Sequence, residues 1–508
     1  MAAVTACPRC GFPDSAPEIT AALPTSVYPH LRRSNAAPSE SQHKEFLREI
    51  ETTTIAISEI EDKMSRLADV WNDLAAQRQT LLDLVSDDRK VLSPFRTLPN
   101  ELLSEIFVRC AERELSHKWN PRTDPEWVLV QVCSRWRAVA ISTPPVWCHI
   151  SIPDSPEPLV QYRRISSAVV EGLLSFQLER SAEAPLAVNC TARFPSREII
   201  KTLFSVAHRW QDVRLHIPDS DIRDLQTHPS TTSFPQLRTL ILCNEWGRED
   251  PCTLFKRTPL LEELGFGFHS LFRGPRTLQP LHALHLSQIR KLSLKGRRYQ
   301  TKHILSVLRS TPDLVELSLD DYTQDSTDTF NRSTSITLRH LRTLSFHGSD
   351  TVILCHLTVP DLQELTINFP TRFADELSAF LTRTGSSLTH LTLRDAGIDR
   401  KTLFHALSLT PCLRYLVLYS SGYKDQQFMR ALTCRPGEQN LVPSLVSLEL
   451  GEPFGYEGGA SLVEMLRSRC APGSLRSVKF QGWPTGPSDP LAFHTLRRDQ
   501  GLDIRLVD

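Results

Sequence analysis

Between residues 210 and 480 the chain repeats one short pattern eleven times: apolar, two variable residues, apolar, one variable residue, apolar. The first six copies are Trp210/Val213/Leu215, Leu237/Leu240/Leu242, Leu261/Leu264/Phe266, Ile289/Leu292/Leu294, Leu314/Leu317/Leu319 and Leu341/Leu344/Phe346. The last five are Leu362/Leu365/Ile367, Leu388/Leu391/Leu393, Leu413/Leu416/Leu418, Leu445/Leu448/Leu450 and Leu475/Val478/Phe480. First and last begin 265 residues apart, ten steps of 26.5 on average. Alternate side chains of an extended strand point to opposite faces, so the last two apolar residues of a copy share a buried face. A unit this short cannot bury that face alone; stacking on the next copy does so, and the strands line up as one parallel sheet. Proline marks the phase independently. Pro235, Pro259, Pro312, Pro360, Pro411 and Pro443 each stand two residues before the first apolar position, where a fixed φ and a missing N–H end a helix and turn the chain into the strand. Apolar clusters between strands, such as Ile304, Leu305 and Leu308, are predicted to form helices on the outer layer.

The same alternation sorts the remaining strand residues. Those before the second leucine, between the last two and after the third are expected to face solvent and tile a concave surface. In the central and later copies they include Glu316, Asp320, His347, Glu364, Asn368, His390, Arg394, Tyr415 and Tyr419. Tyrosine and arginine dominate interaction hot spots. Arg394, Tyr415 and Tyr419 fall on neighbouring strands about 5 Å apart, so they are the strongest candidates for recognition of a target protein.

Upstream, residues 1–43 are expected to form a flexible leader. Pro8, Pro13, Pro17, Pro24, Pro29 and Pro38 stop any long helix or strand there. Cys7-Pro8-Arg9-Cys10-Gly11 has a spacing that lets two thiolates grip one zinc, but no second ligand pair follows, and His30 and His43 lack ligand spacing of their own. No metal and no cofactor are expected. From 44 to about 90 there is neither proline nor glycine. Phe46, Ile50, Thr53, Ile57, Ile60, Met64, Leu67, Trp71, Leu74, Arg78, Leu81 and Val85 recur at alternating steps of four and three, a coiled-coil seam on one long helix. The flanking positions include Val70, Ala75, Leu82 and Leu84 rather than complementary charges. Two partners for the seam stay open: a second copy of the chain, making a homodimer, or the chain itself.

Residues 94–150 carry a denser motif. Leu98-Pro99 precedes Glu101-Leu102-Leu103-Ser104-Glu105-Ile106-Phe107, a short amphipathic helix with proline at its start. Asp124 as N-cap and Pro125 then open a second helix through Leu129, Val132, Cys133, Trp136 and Val139, stopped by Pro144-Pro145 just ahead of Trp147. Leu-Pro, the Glu-Leu-Leu helix ending in Ile-Phe, Val132-Cys133-x-x-Trp136 and the final Trp147 together resemble the F-box. The order of leader, long helix and F-box resembles a large group of fungal F-box-like proteins, and the downstream copies resemble the leucine-rich-repeat arrays of F-box proteins. Two departures stand out: residues 108–123 between the helices exceed the short F-box, and Asn100 occupies a position where these relatives often carry a second proline. The resemblance implies docking to the Skp adaptor of a cullin-RING ubiquitin ligase, through Leu98, Pro99, Leu102, Leu103, Ile106, Phe107, Val132, Cys133, Trp136 and Trp147. Residues 151–205, with Pro153, Pro156 and Pro158, are expected to be a linker and the cap on which the array of 206–508 begins.

The expected fold class is therefore multidomain: a long helix, an all-α F-box, and an α/β leucine-rich-repeat solenoid with a parallel sheet on its concave face. Lys plus Arg and Asp plus Glu number 58 each, which leaves no global basic field to gather nucleic acid or an anionic membrane. Neither a long apolar run nor a secretory signal occurs, and the twelve cysteines are scattered as reduced thiols are, so an intracellular location, cytoplasmic or nuclear, is expected. No glycine-rich phosphate loop, His-Glu-x-x-His or Gly-x-Ser-x-Gly is present. Cys355-His356 suggests a nucleophile and base, but adjacent strand residues face opposite ways. The chain reads as a non-enzymatic adaptor in ubiquitin-mediated proteolysis, with a leucine-rich-repeat scaffold acting outside any ligase as the alternative.

Overall fold

The computed structural model describes residues 28–33, 35–115, 119–120, 122–152, 166–191, 195–227, 233–243, 251–266, 281, 284–295, 301–322, 335–348, 352–368, 374–394, 398–419, 426–451, 459–470, 474–480 and 490–506. Cys7 and Cys10 lie outside them. The chain divides into two compact units, Met1–Pro99 and Asn100–Asp508.

The first unit is dominated by one uninterrupted helix, α1 (Glu40–Val91), 52 residues long. It begins a turn earlier than the heptads alone require, because Ser39 closes a capping box. The Ser39 hydroxyl accepts from the Gln42 N–H, and the Gln42 side chain accepts from the Ser39 N–H. Tyr28 lays its ring against Phe46 at 5.9 Å and donates to Glu45, while Arg32 pairs with Glu49 at 2.8 Å. No residue of α1 is buried.

The second unit opens with α2 (Asn100–Ala111), α3 (Pro125–Val132) and α4 (Ser134–Ile141). The single helix expected from Pro125 onward is in fact two. Cys133 breaks it in extended conformation (φ −160°, ψ 170°). The break leaves helix ends in need of partners, and both are met. The Cys133 sulfur accepts from the Trp136 N–H at 3.4 Å, and Arg137 Nε donates to the Val130 carbonyl at 2.8 Å. Leu103, Phe107, Leu129, Val139, Ala140 and Trp147 fill the small core. The Trp147 indole donates to the Ala140 carbonyl at 2.8 Å and meets Trp127 and Phe176 edge-on, joining the helices to α5 (Ser167–Arg180).

From Trp147 the chain runs directly into a sheet. Its first strands are β1 (His149–Ser151), β2 (Leu186–Cys190), β3 (Trp210–Leu215), β4 (Thr239–Leu242), β5 (Glu263–Phe266), β6 (Lys291–Lys295) and β7 (Glu316–Tyr322). After β8 (Ile336–Thr337) come β9 (Thr343–Gly348), β10 (Leu357–Thr358), β11 (Glu364–Asn368), β12 (His390–Arg394), β13 (Tyr415–Tyr419), β14 (Ser447–Leu450), β15 (Ser477–Phe480) and β16 (Asp503–Leu506). Apart from β8 and β10, which pair with each other, these form one fourteen-stranded sheet in chain order, parallel throughout. All eleven sequence copies are strands of it, and β1, β2 and β16 extend it. The described part of residues 151–205, expected as a linker and entry cap, supplies β2, α5 and α6 (Arg197–Ser205), whose apolar residues join the core at the start of the solenoid-like array.

Register holds the leucines in columns. Leu317 pairs with Leu344, Leu344 with Leu365, Leu365 with Leu391 and Leu391 with Leu416, all buried in one continuous core from Ile150 to Leu502. The turn into each strand is also repeated. Leu261, Leu314 and Leu413 donate their N–H to the carbonyls of Thr258, Thr311 and Thr410 at 3.2–3.3 Å, with Pro259, Pro312 and Pro411 preset for the second turn position. Those threonines are buried and donate their hydroxyls to carbonyls of the preceding helical turn. A buried arginine serves the same need elsewhere: Arg469, on the outer-layer helix Gly459–Cys470, donates to the carbonyls of Leu432, Leu441 and Val442 at 2.6–3.0 Å.

Candidate interaction surfaces

Two regions of the second unit present side chains that its own folding does not use. The first is the outer side of α2 and α3. Leu102 and Ile106 stand one turn apart on α2, Val128 and Val132 one turn apart on α3, and all four are exposed, Leu102 at 51% and Val132 at 54%. Spacing along the motif anticipated Leu102, Ile106 and Val132; Val128 was missed, although its four-residue step from Val132 was readable. Cys133 is exposed and Trp136 half-buried with its ring 5.0 Å from Phe107; at the end of the first unit, Leu98 is half-buried and Pro99 exposed. Leu103, Phe107 and Trp147 are fully buried. They hold the core and cannot themselves touch a partner, which corrects their assignment as contact residues.

Both departures from the F-box pattern have structural roles. Asn100 Oδ1 accepts from Arg135 Nε and Nη2, each at 3.0 Å, tying the start of α2 to α4. The long stretch after α2 is pinned by Arg113, whose guanidinium lies 3.1 Å from Asp124 and 2.5 Å from Glu126, all three side chains buried. Asp124 also accepts from the Asn120 N–H at 2.8 Å. Burial pushes the Glu126 carboxyl up from its ordinary range although Arg113 opposes the shift.

The second region is the solvent face of the sheet, where register decides which side chains meet. Glu316 pairs with Lys291 at 2.9 Å, and Asp320 lies 2.7 Å from His347 Nδ1. That histidine, aided by Ser318 and Lys295, holds the Asp320 carboxyl below its usual range against the effect of burial. Glu364 is 3.8 Å from His390, whose ring stacks flat on Tyr415 with centroids 4.1 Å apart. Arg394 lies over the Tyr419 ring at 4.6 Å, and the Tyr419 hydroxyl donates to Glu449, itself 3.5 Å from Lys479. Burial first, and Glu449 after it, push the Tyr419 phenol up. Register thus brings Arg394 onto Tyr419, whereas Tyr415 stands four residues away at the other end of β13, about 13 Å along the strand, and meets His390 instead.

One residue of that face departs from expectation. Asn368 is only 8% exposed, because it stands in register between His347 and Arg394 and its short side chain lies lower than these longer neighbours. Its Oδ1 has no hydrogen-bond partner among the described residues. Sequence reading also missed Glu449 and Lys479, which occupy the same between-leucine position in later copies, and Gly451. A Cβ at Gly451 would come within 2.1 Å of the Tyr419 ring, so the absence of a side chain is what lets that ring lie down between Arg394 and the next strand. Cys355 and His356 are not in a strand at all. They end a short 3₁₀ turn, Val352–His356, with the histidine buried and the cysteine half-buried.

Among the described residues no helix is long and apolar enough to cross a membrane. No family model matches the chain, and no curated protein does. Among solved structures the chain is similar to a protein from Bacteroides fragilis, at 12% identity over 70% of this chain and 87% of that one, with a TM-score of 0.30.

Proposed function

We propose that this chain is a substrate-recognition adaptor of a Skp-cullin-F-box ubiquitin ligase, docking on the Skp adaptor through α2 and α3 and holding a target protein on the solvent face of the array. The observation that carries this reading is the pair of exposed apolar steps, Leu102/Ile106 and Val128/Val132, on a helical module that bears the F-box motif. Isolated exposed leucines and valines are ordinary on a protein surface. Four on two adjoining short helices, in a module whose core is already filled by Leu103, Phe107 and Trp147, are surplus to folding and suit burial against a partner. The target side rests on the arginine and tyrosines of β12 and β13, flanked by charges of both signs rather than one, which favours a protein partner over a polyanion.

Co-precipitation of the full chain with a Skp adaptor and cullin tests this. Leu102→Asp with Val132→Asp changes only exposed positions, so the chain should stay folded by circular dichroism while adaptor capture falls at least tenfold. A wild-type chain that captures its protein partners but neither Skp nor cullin would instead favour a leucine-rich-repeat scaffold acting outside any ligase.

A further inference from the structure

The seam of α1 is long, apolar and exposed: Trp71 at 73% and Met64 at 64% are its most open apolar positions. Exposure alone does not identify what covers it; its two polar interruptions do. Thr53 and Arg78 are the polar residues between Phe46 and Val85 on an otherwise apolar seam. In a parallel, in-register pair Arg78 would face Arg78 of the partner subunit across the core, and Thr53 would face Thr53 of the partner subunit. The flanking positions would not compensate, because Glu49, Lys63 and Glu61 would meet Thr54, Ala68 and Ala56 of the partner subunit rather than opposite charges.

Reversing one helix with complete overlap changes each of these meetings. Ile50 then lies opposite Leu81 of the partner subunit, Trp71 opposite Ile60 of the partner subunit, and Met64 and Leu67 form the central layers about the two-fold axis. Arg78 falls opposite Thr53 of the partner subunit, so the long side chain faces the small polar one and its stem can pack while the guanidinium reaches water. The two Arg78 side chains stand 25 residues apart along the axis, about 37 Å at 1.5 Å per residue, several times the Debye length of about 8 Å. One step beyond the apolar layers, His43 meets Asp88 of the partner subunit, an imidazole and a carboxylate that can hydrogen-bond. A shift of one heptad either way loses the match, setting Arg78 against Phe46 or Ile60 of the partner subunit. Both contacts occur twice, as an isologous two-fold interface requires.

We infer that α1 is the dimerisation element of this protein and that it pairs with a second copy of itself as an antiparallel, fully overlapped coiled coil. This does not rest on the adaptor reading, since it uses no residue of the second unit. Light scattering on the full chain should give twice the single-chain mass at micromolar concentration. Met64→Glu, placed in a central layer, should return it to the mass of one chain without changing the melting of the array. Orientation is read by mixing an isotopically labelled Thr53→Cys chain with an unlabelled Arg78→Cys chain under mild oxidation and identifying the linked peptides by mass spectrometry. Residue 53 should join residue 78 of the other chain at least tenfold more often than either joins its own counterpart. A single-chain mass for the wild type, dominant 53-to-53 links, or links from these positions to native cysteines of the same chain would each overturn the inference.

Discussion

The array and α1 are both written in periodic apolar residues, yet they end in opposite states. Leu344, Leu365, Leu391 and Leu416 are at most 1% exposed, whereas no residue of α1 is buried. Period determines which element forms and which face is apolar; it does not supply what covers that face. Each repeat carries its own cover in the next 26 or so residues of chain, so burial follows from stacking alone. Among the described residues no neighbour buries any residue of the long helix. Its seam is closed only by something whose pattern complements it, and the α2–α3 face, on a module with a filled core, stands between the two cases.

The widest separation between these regions should be seen by truncating one buried ring and one exposed seam residue. Phe346→Ala removes a fully buried ring from the array and should cost about 3–5 kcal/mol, whereas Met64→Ala should change the stability of the array by no more than about 0.5 kcal/mol. Hydrogen exchange of the β9 amides under mild denaturant reads both. Similar losses from the two would mean that α1 is part of the array's cooperative core, and the contrast would fail.

In the helical module the largest effect should come from its buried ion cluster. Arg113→Met leaves Asp124 and Glu126 buried together without their cation and should cost about 3 kcal/mol. Glu126→Gln works the other way. The folded-state carboxyl of Glu126 is raised by burial, so its contribution to stability is present at low pH and is lost as pH rises from the ordinary carboxylate range through the raised value. The glutamine does not titrate and can still accept from Arg113. It should leave the protein equally stable or up to about 1 kcal/mol more stable at neutral pH, with a flatter rise in melting temperature on acidification than the wild type. A steeper pH dependence in the variant would rule this account out.

Smaller in stability, though not in binding, are changes on the open face of the sheet. Arg394→Ala, Tyr415→Ala and Tyr419→Ala together remove exposed or half-buried groups, so unfolding should shift by about 1 kcal/mol or less while capture of the target is lost and Skp binding is retained. Gly451→Val should act more narrowly, displacing the Tyr419 ring from its seat and lowering target capture several-fold with the other two residues intact. Unchanged capture in the triple variant would place recognition elsewhere on the sheet.

Much of this was readable without coordinates. Apolar-x-x-apolar-x-apolar spacing identified eleven of the fourteen strands of the main sheet, because a strand's two-residue period and a buried column leave few residue types to choose from. The absence of proline and glycine identified α1, and Leu98-Pro99 with Val132-Cys133-x-x-Trp136 located the helical module. What escaped was decided between segments rather than within them. β1, β2 and β16 lack the full spacing and become strands because an already formed edge offers them hydrogen bonds. Cys133 breaks a helix that local propensity would continue, since its sulfur and Arg137 satisfy the ends created by the break. Asn368 is buried and Gly451 seats Tyr419 for the same reason: what a side chain touches across a parallel sheet depends on register with strands 21 to 32 residues away. Alternation states which way a residue points; only the tertiary structure decides what stands beside it.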